Sequence, residues 1–137
     1  MQQEMEFRAI SSKGAVYTGG FFSDGEKVGV VSNVKDNIKI FYTLGSAYIG
    51  FYTGLKDKKG FKIFTNDLVE ISSSNEFNGL KGIVLFHKGD CLVGTEKGYF
   101  YLNNAESEYV TKGNAMQHAK ELSDKLKDML ILVKGVE

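Results

Sequence analysis

Proline is absent from this chain of 137 residues, which carries 16 glycines. Its turns must therefore be made by Gly, Asn and Asp, residues that tolerate positive φ or hydrogen-bond their own backbone, rather than by a ring-fixed φ. Cysteine is nearly absent too. A lone Cys91 excludes an intramolecular disulfide and any multi-cysteine zinc site. Arginine is represented by Arg8 alone among 17 basic residues. Since arginine is the preferred reader of base edges and phosphates, its scarcity argues against sequence-specific DNA binding. Formal net charge is zero, which disfavours non-specific attraction to nucleic acid or anionic lipid. No apolar run approaches the roughly 18 residues of a membrane span, and the polar start MQQEMEFRA has no secretory apolar core. The expectation is a cytoplasmic protein.

What is present is ordinary for a folded domain: 42% hydrophobic and 25% charged residues. From Glu4 to about Asn103, short β-favouring runs alternate with Gly, Asn and Asp punctuation. Examples are Ala15–Ser23, bent at Gly19-Gly20, and KVGVVS, IKIFYTL and AYIGFYT. Leu80–Phe86 and Cys91–Val93 form the clearest hairpin, closed by His87-Lys88-Gly89-Asp90. This pattern predicts a mainly β fold, an antiparallel small barrel or sandwich, over residues 1–113. Over 114–135 the period changes. Asn114 is a natural N-cap, and Ala115, Met116, Ala119, Leu122, Leu126, Met129, Leu130 and Val133 recur at three- and four-residue spacing, which predicts one long amphipathic helix of about five turns. Its apolar stripe must be covered, by its own sheet or by a second subunit. In the second case Leu122, Leu126, Met129, Leu130 and Val133 are the oligomer interface.

Catalytic signals are thin. His87, Asp90 and Cys91 are close in sequence, but a cysteine nucleophile needs a base and an orienting group, and Cys91 is expected to point away from the turn. His118 has Leu122, not a ligand, at i+4. Neither a GxxxxGK[ST] nor a GxGxxG loop occurs. The reading is a protein with no enzymatic activity, cofactor or metal. Lys56, Lys58, Lys59 and Lys62, next to Tyr52, are the one basic cluster and have the charge-plus-stacking mix of single-strand nucleic-acid binding, but Asp57, Asp67 and the zero net charge dilute it. With Tyr99 and Tyr101 these residues are the candidate binding positions.

The stretch FYTGLKDKKGFKIFTNDLV, Phe51 to Val69, has the most specific residue order. It resembles the signature of the YopX-like phage proteins, approximately TGLKDKNGKEIYEGDIV. Glu6-Phe7-Arg8-Ala9 is similar to that family's KFRAW start, Gly82–Phe86 with Gly89 to its glycine–hydrophobic hairpin, and Val110–Asn114 to its VIGN. Thr65-Asn66 stands where the family has Glu-Gly, Ile10 where it has Trp, and the family's short ending is replaced by the helix. The resemblance implies phage or prophage origin, a mainly β fold and no established reaction. The signature reads as architecture: a glycine-bounded loop, an Asp for local backbone hydrogen bonds, and apolar core residues. Two functions follow as expectations. One is an accessory protein, working in the host cytoplasm, that binds a host defence or regulatory protein and inhibits it. The other is an oligomeric module that sequesters a small nucleotide-like ligand.

Overall fold

The computed structural model describes residues 6–11, 14–34, 37–43 and 49–134. Two antiparallel sheets make up most of it. The first contains β1 (Phe7–Ile10), β2 (Val16–Ser23), β3 (Val28–Val34), β4 (Asn37–Thr43), β5 (Ile49–Lys56) and β6 (Lys62–Phe64), in the order β4-β3-β2-β1-β5-β6. The second contains β7 (Asp67–Ser73), β8 (Lys81–His87), β9 (Asp90–Thr95), β10 (Gly98–Tyr101) and β11 (Ser107–Asn114), in the order β10-β9-β8-β7-β11. The expected positions Leu44, Ala47 and Tyr48 lie outside the described residues.

The mainly β expectation holds, but the closed-barrel alternative does not. Both sheets are largely meanders of sequential hairpins and stay open among the described residues. Closure would need an end strand to return to the far edge, and β6 is only 3 residues long. The bend expected at Gly19-Gly20 is where β2 changes partner: up to Gly19 it pairs with β1, from Gly20 onward with β3. At Gly19 the Val31 carbonyl oxygen comes within 1.9 Å of where a Cβ would be. The β8–β9 hairpin turns at Lys88 (φ 51°) and Gly89 (φ 88°). Successive positive φ angles match the right-handed strand twist.

The second sheet is covered on both faces. On one face Val69, Ile71, Val84, Val93 and Tyr109 pack with Ile63 and Leu55 from the β5–β6 hairpin. On the other, Leu68 and Ile83 pack with Ala115, Leu122, Leu126 and Met129 from the C-terminal segment. The first sheet has a smaller core of its own, Ala9, Val30 and Ile49. Sealing a leucine such as Leu126 contributes about 2 kcal/mol, so the second sheet and the C-terminal segment hold most of the stability.

The long helix is corrected to two short pieces. Ala115–Glu121 is a 3-10 turn, capped as expected by the Asn114 side chain, which accepts from Met116 N at 2.8 Å, and distorted at His118 (φ −114°, ψ 19°). Leu122 is extended (φ −86°, ψ 143°), and a separate helix, α1, runs over Asp124–Lys134. Ser123 starts α1 by accepting from Leu126 N at 3.4 Å through its hydroxyl and from Lys127 N at 2.9 Å through its carbonyl. An extended Leu122 lets both Leu122 and Leu126 reach the same sheet. A serine that can cap then supplies a new start, which a periodicity argument does not register.

Candidate functional site

The central stretch changes sheets. Strand β6 belongs to the first sheet and β7 to the second, and only Thr65-Asn66 lies between them. Asn66 takes φ 71°, as its tolerance of positive φ allows. Its N–H donates to the Val84 carbonyl (2.7 Å), its side-chain amide donates to the Ile49 carbonyl (2.9 Å), and its carbonyl accepts from Ala115 N (2.7 Å). One turn thereby ties β5, β8 and the start of the C-terminal segment together. The turn also presses against β5. A Cβ on Gly50 would sit 2.1 Å from the Thr65 carbonyl oxygen, which is why the strand carries glycine there.

Around this turn a buried polar junction is built from residues far apart in sequence. Arg8, the only arginine, pairs through its guanidinium with Asp67 Oδ1 and lies over the Phe64 ring at 4.6 Å. Asp67 is fully buried. Its Oδ2 accepts from Phe64 N at 2.9 Å and from the Thr111 hydroxyl at 3.2 Å. Thr111 N donates in turn to Asp57 Oδ2 at 3.0 Å. The other Asp57 oxygen accepts from Lys59 N and Phe61 N, each at 2.9 Å, so this carboxylate holds the β5–β6 loop and fastens it to β11. The two carboxylates differ in electrostatics. Burial pushes the Asp67 carboxyl above the ordinary 3.8, against the pull of Arg8. Burial also pushes Asp57 up, but the backbone donors of Thr111, Phe61 and Lys59 outweigh it and its pKa is lowered.

The segments that resemble a family signature, Glu6–Ala9, Phe51–Val69 and Val110–Asn114, thus converge on this junction. Its polar groups pair with one another except Arg8 Nε, which is buried without a hydrogen-bond partner among the described residues. The junction ties the two sheets together.

The candidate binding residues fall into two places. Lys62 forms an ion pair with Glu6 at 2.6 Å and lies 5.1 Å from the Tyr52 ring, and this carboxylate pushes its pKa up. Lys56 is its cross-strand partner, and Lys58 and Lys59 are exposed in the loop. The cluster is therefore partly neutralised. Tyr99 and Tyr101 lie on β10, an edge strand, 56% and 61% exposed. Tyr101 borders a cleft of about 420 Å³ lined also by Thr53, Gly54, Leu55, Asp90 and Cys91. Tyr99 is nearer α1: its ring and Met129 Sδ both crowd the open Cα of Gly94.

His87 and Asp90 are cross-strand partners beside the turn, both exposed. Cys91 is half-buried, and burial with the neighbouring Asp90 charge pushes its thiol up, the opposite of what an activated nucleophile needs. Among the described residues no group of three His, Cys, Asp or Glu could hold a metal ion, and no helix is long and apolar enough to cross a membrane. Of the proposed interface residues, Leu122, Leu126 and Met129 pack within their own chain. The side chains of Leu130 and Val133 lie outside the described residues.

Sequence reasoning passed over one feature, an aromatic row joining the sheets. Phe21, Phe7, Phe51 and Phe86 follow one another with centroid separations of 5.5, 6.3 and 5.0 Å, and both end residues are more than half exposed. The signal was the unbroken run Ile83–Phe86. Strict alternation would have placed a polar residue at one of its outer positions. Phe86 is opposite Cys91 in the β8–β9 register, so the row ends beside the cleft.

No curated protein matches this sequence. A family model described as YopX protein matches residues 5–120, spanning every strand and the buried junction and stopping short of α1, and the chain belongs to the YopX family.

Proposed function

We propose that the chain is a phage or prophage accessory protein that acts in the host cytoplasm by binding a host protein, and that inhibition of a defence or regulatory protein is the effect. The observation that carries this reading is how the side chains are divided. Arg8, Asp57, Asp67 and Asn114 are buried and engaged with their own chain, while Phe86 (53%) and Tyr101 (61%), on opposite faces of the second sheet in the β8–β9–β10 register, are presented to solvent. Large exposed aromatics, one of them bordering a cleft, are what partner recognition uses. Tagged protein incubated with host lysate is expected to retain one host protein in stoichiometric amount. Phe86→Ser and Tyr101→Ser are expected to reduce that retention at least about tenfold without changing the melting temperature. Absence of a stoichiometric partner, or retention indifferent to both substitutions, defeats the proposal.

The cleft favours a second reading, a site for a small nucleotide-like ligand. At about 420 Å³ it falls in the size range of such sites, with Tyr101 available for stacking and the Asp90 carboxylate for hydrogen bonding. A nucleotide panel is then expected to raise the melting temperature of the wild type and not of Tyr101→Ala. A flat response across the panel removes this reading.

A further inference from the structure

The loop between β5 and β6 has a fixed backbone and free side chains. Asp57 N donates to the Phe61 carbonyl (2.7 Å), Gly60 N to the Asp57 carbonyl (3.0 Å) and Lys58 N to the Tyr109 carbonyl (2.9 Å). These bonds add to those that the Asp57 carboxylate accepts from Lys59 N, Phe61 N and Thr111 N. A partner therefore meets a surface whose backbone is already ordered, which lowers the entropic cost of binding. The side chains take no part in this fastening. Phe61 is 62% exposed, and Lys56, Lys58 and Lys59 are exposed. Among the described residues none of these three lysines forms an ion pair. The strand register adds a like-charge contact: Lys56 stands directly opposite Lys62, and like charges at facing positions destabilise a sheet. Glu6 answers Lys62 alone. A local rule broken with no gain inside the fold is where function is expected.

We propose that this hairpin tip docks an acidic segment of a partner protein, one that offers carboxylates to Lys56 and Lys58 and an apolar side chain to Phe61. Charge complementarity sets the sign of the partner, and a carboxylate between Lys56 and Lys62 relieves their repulsion. The exposed ring calls for an apolar contact at the centre of the patch. Single-stranded nucleic acid, the other polyanion, fits less well, because it stacks successive bases on several rings along a basic groove. At this tip Tyr52 is already covered by Phe64 (5.8 Å) and Lys62 (5.1 Å), so Phe61 is the open ring. The single arginine is buried at the junction. None of these side chains carries the host-protein reading above, so either proposal can fail alone.

The test is fluorescence anisotropy with labelled probes: a short peptide of Glu and Leu, one of Lys and Leu, one of Glu and Ser, and a short oligothymidine. The Glu–Leu peptide is expected to bind at least about tenfold tighter than the other three. It should lose about tenfold between roughly 0.1 and 1 M salt, as the screening length falls from about 10 to 3 Å. Lys56→Glu combined with Lys58→Glu is expected to weaken binding at least about tenfold, and Phe61→Ser about tenfold, each with an unchanged melting temperature. Lys59 is left in place because its charge lies beside the Asp57 carboxylate. Phe86→Ser and Tyr101→Ser are expected to leave peptide binding as it is. The probe comparison and the salt series use the wild type alone and decide without any variant. A Glu–Leu peptide that does not bind, or an oligothymidine that binds more tightly, overturns the proposal. So does binding indifferent to the lysine pair or to Phe61→Ser, or binding abolished by Phe86→Ser or Tyr101→Ser.

Discussion

Arg8→Met is expected to lower the unfolding free energy by about 3–5 kcal/mol at pH 7, the usual cost of leaving a buried charge without its partner. Asp67 would remain fully buried, holding the Phe64 and Thr111 donors but no cation. The loss should depend on pH in an unusual direction. Burial already raises the folded-state pKa of Asp67 above the ordinary 3.8, and removing Arg8 raises it further. A carboxyl whose folded pKa exceeds its unfolded value takes up its proton more readily when folded. Its stabilising contribution is complete below 3.8 and is lost as pH rises through the folded value. The variant should therefore recover, relative to wild type, as pH falls from 7 toward 4. Urea titrations at several pH values measure this, and a pH-independent deficit would refute a buried ionised Asp67. Adding Asp67→Asn to Arg8→Met should restore part of the loss at pH 7, because the amide oxygen can still accept from Phe64 N without a charge. Strictly additive losses would show that the two residues are not coupled.

Asp57→Ala is expected to cost about 3 kcal/mol, since it removes one carboxylate that serves three backbone donors, Lys59 N, Phe61 N and Thr111 N. Asp57→Asn should lose about half as much. Its oxygen can still serve the two loop donors, but an amide nitrogen cannot accept from Thr111. Here the pH sign is the ordinary one. The folded pKa is below 3.8, so the contribution is present above 3.8 and disappears as pH falls through the folded value. Amide exchange reads the local effect: Phe61 and Thr111 should lose protection together in Asp57→Ala. Retained protection at Thr111 would mean that the loop is not fastened to β11 by this side chain.

Much of this was legible in the sequence because local chemistry decides it. Asn66 was readable as a left-handed turn residue and Asn114 as a cap, and an Asp of the signature as a carboxylate spent on nearby backbone N–H groups. The Lys88-Gly89 hairpin follows from the same kind of signal. What was not legible depends on distance along the chain. No periodicity announces that Arg8 will meet Asp67, 59 positions later, although a single arginine beside 16 lysines was a reason to ask what it alone does. The break at Leu122 was hidden because its spacing to Leu126 suits a continuous helix, and only the sheet beneath makes extension the better way to bury both. The exposure of Phe86 was hidden because an apolar run reads as core until the edge of the core is known.

The turn at Thr65-Asn66 also has a consequence in time. Three bonds of the junction span long separations: Arg8 to Asp67 over 59 positions, Thr111 to Asp67 over 44, Asp57 to Thr111 over 54. The N-terminal sheet can form its hairpins early during synthesis, yet Arg8 has no counter-charge until Asp67 is made, and the second sheet has no fastening to the loop until Thr111 arrives. At roughly 5–20 residues per second, the nascent chain spends several seconds as a half-assembled first sheet with its one arginine unmatched.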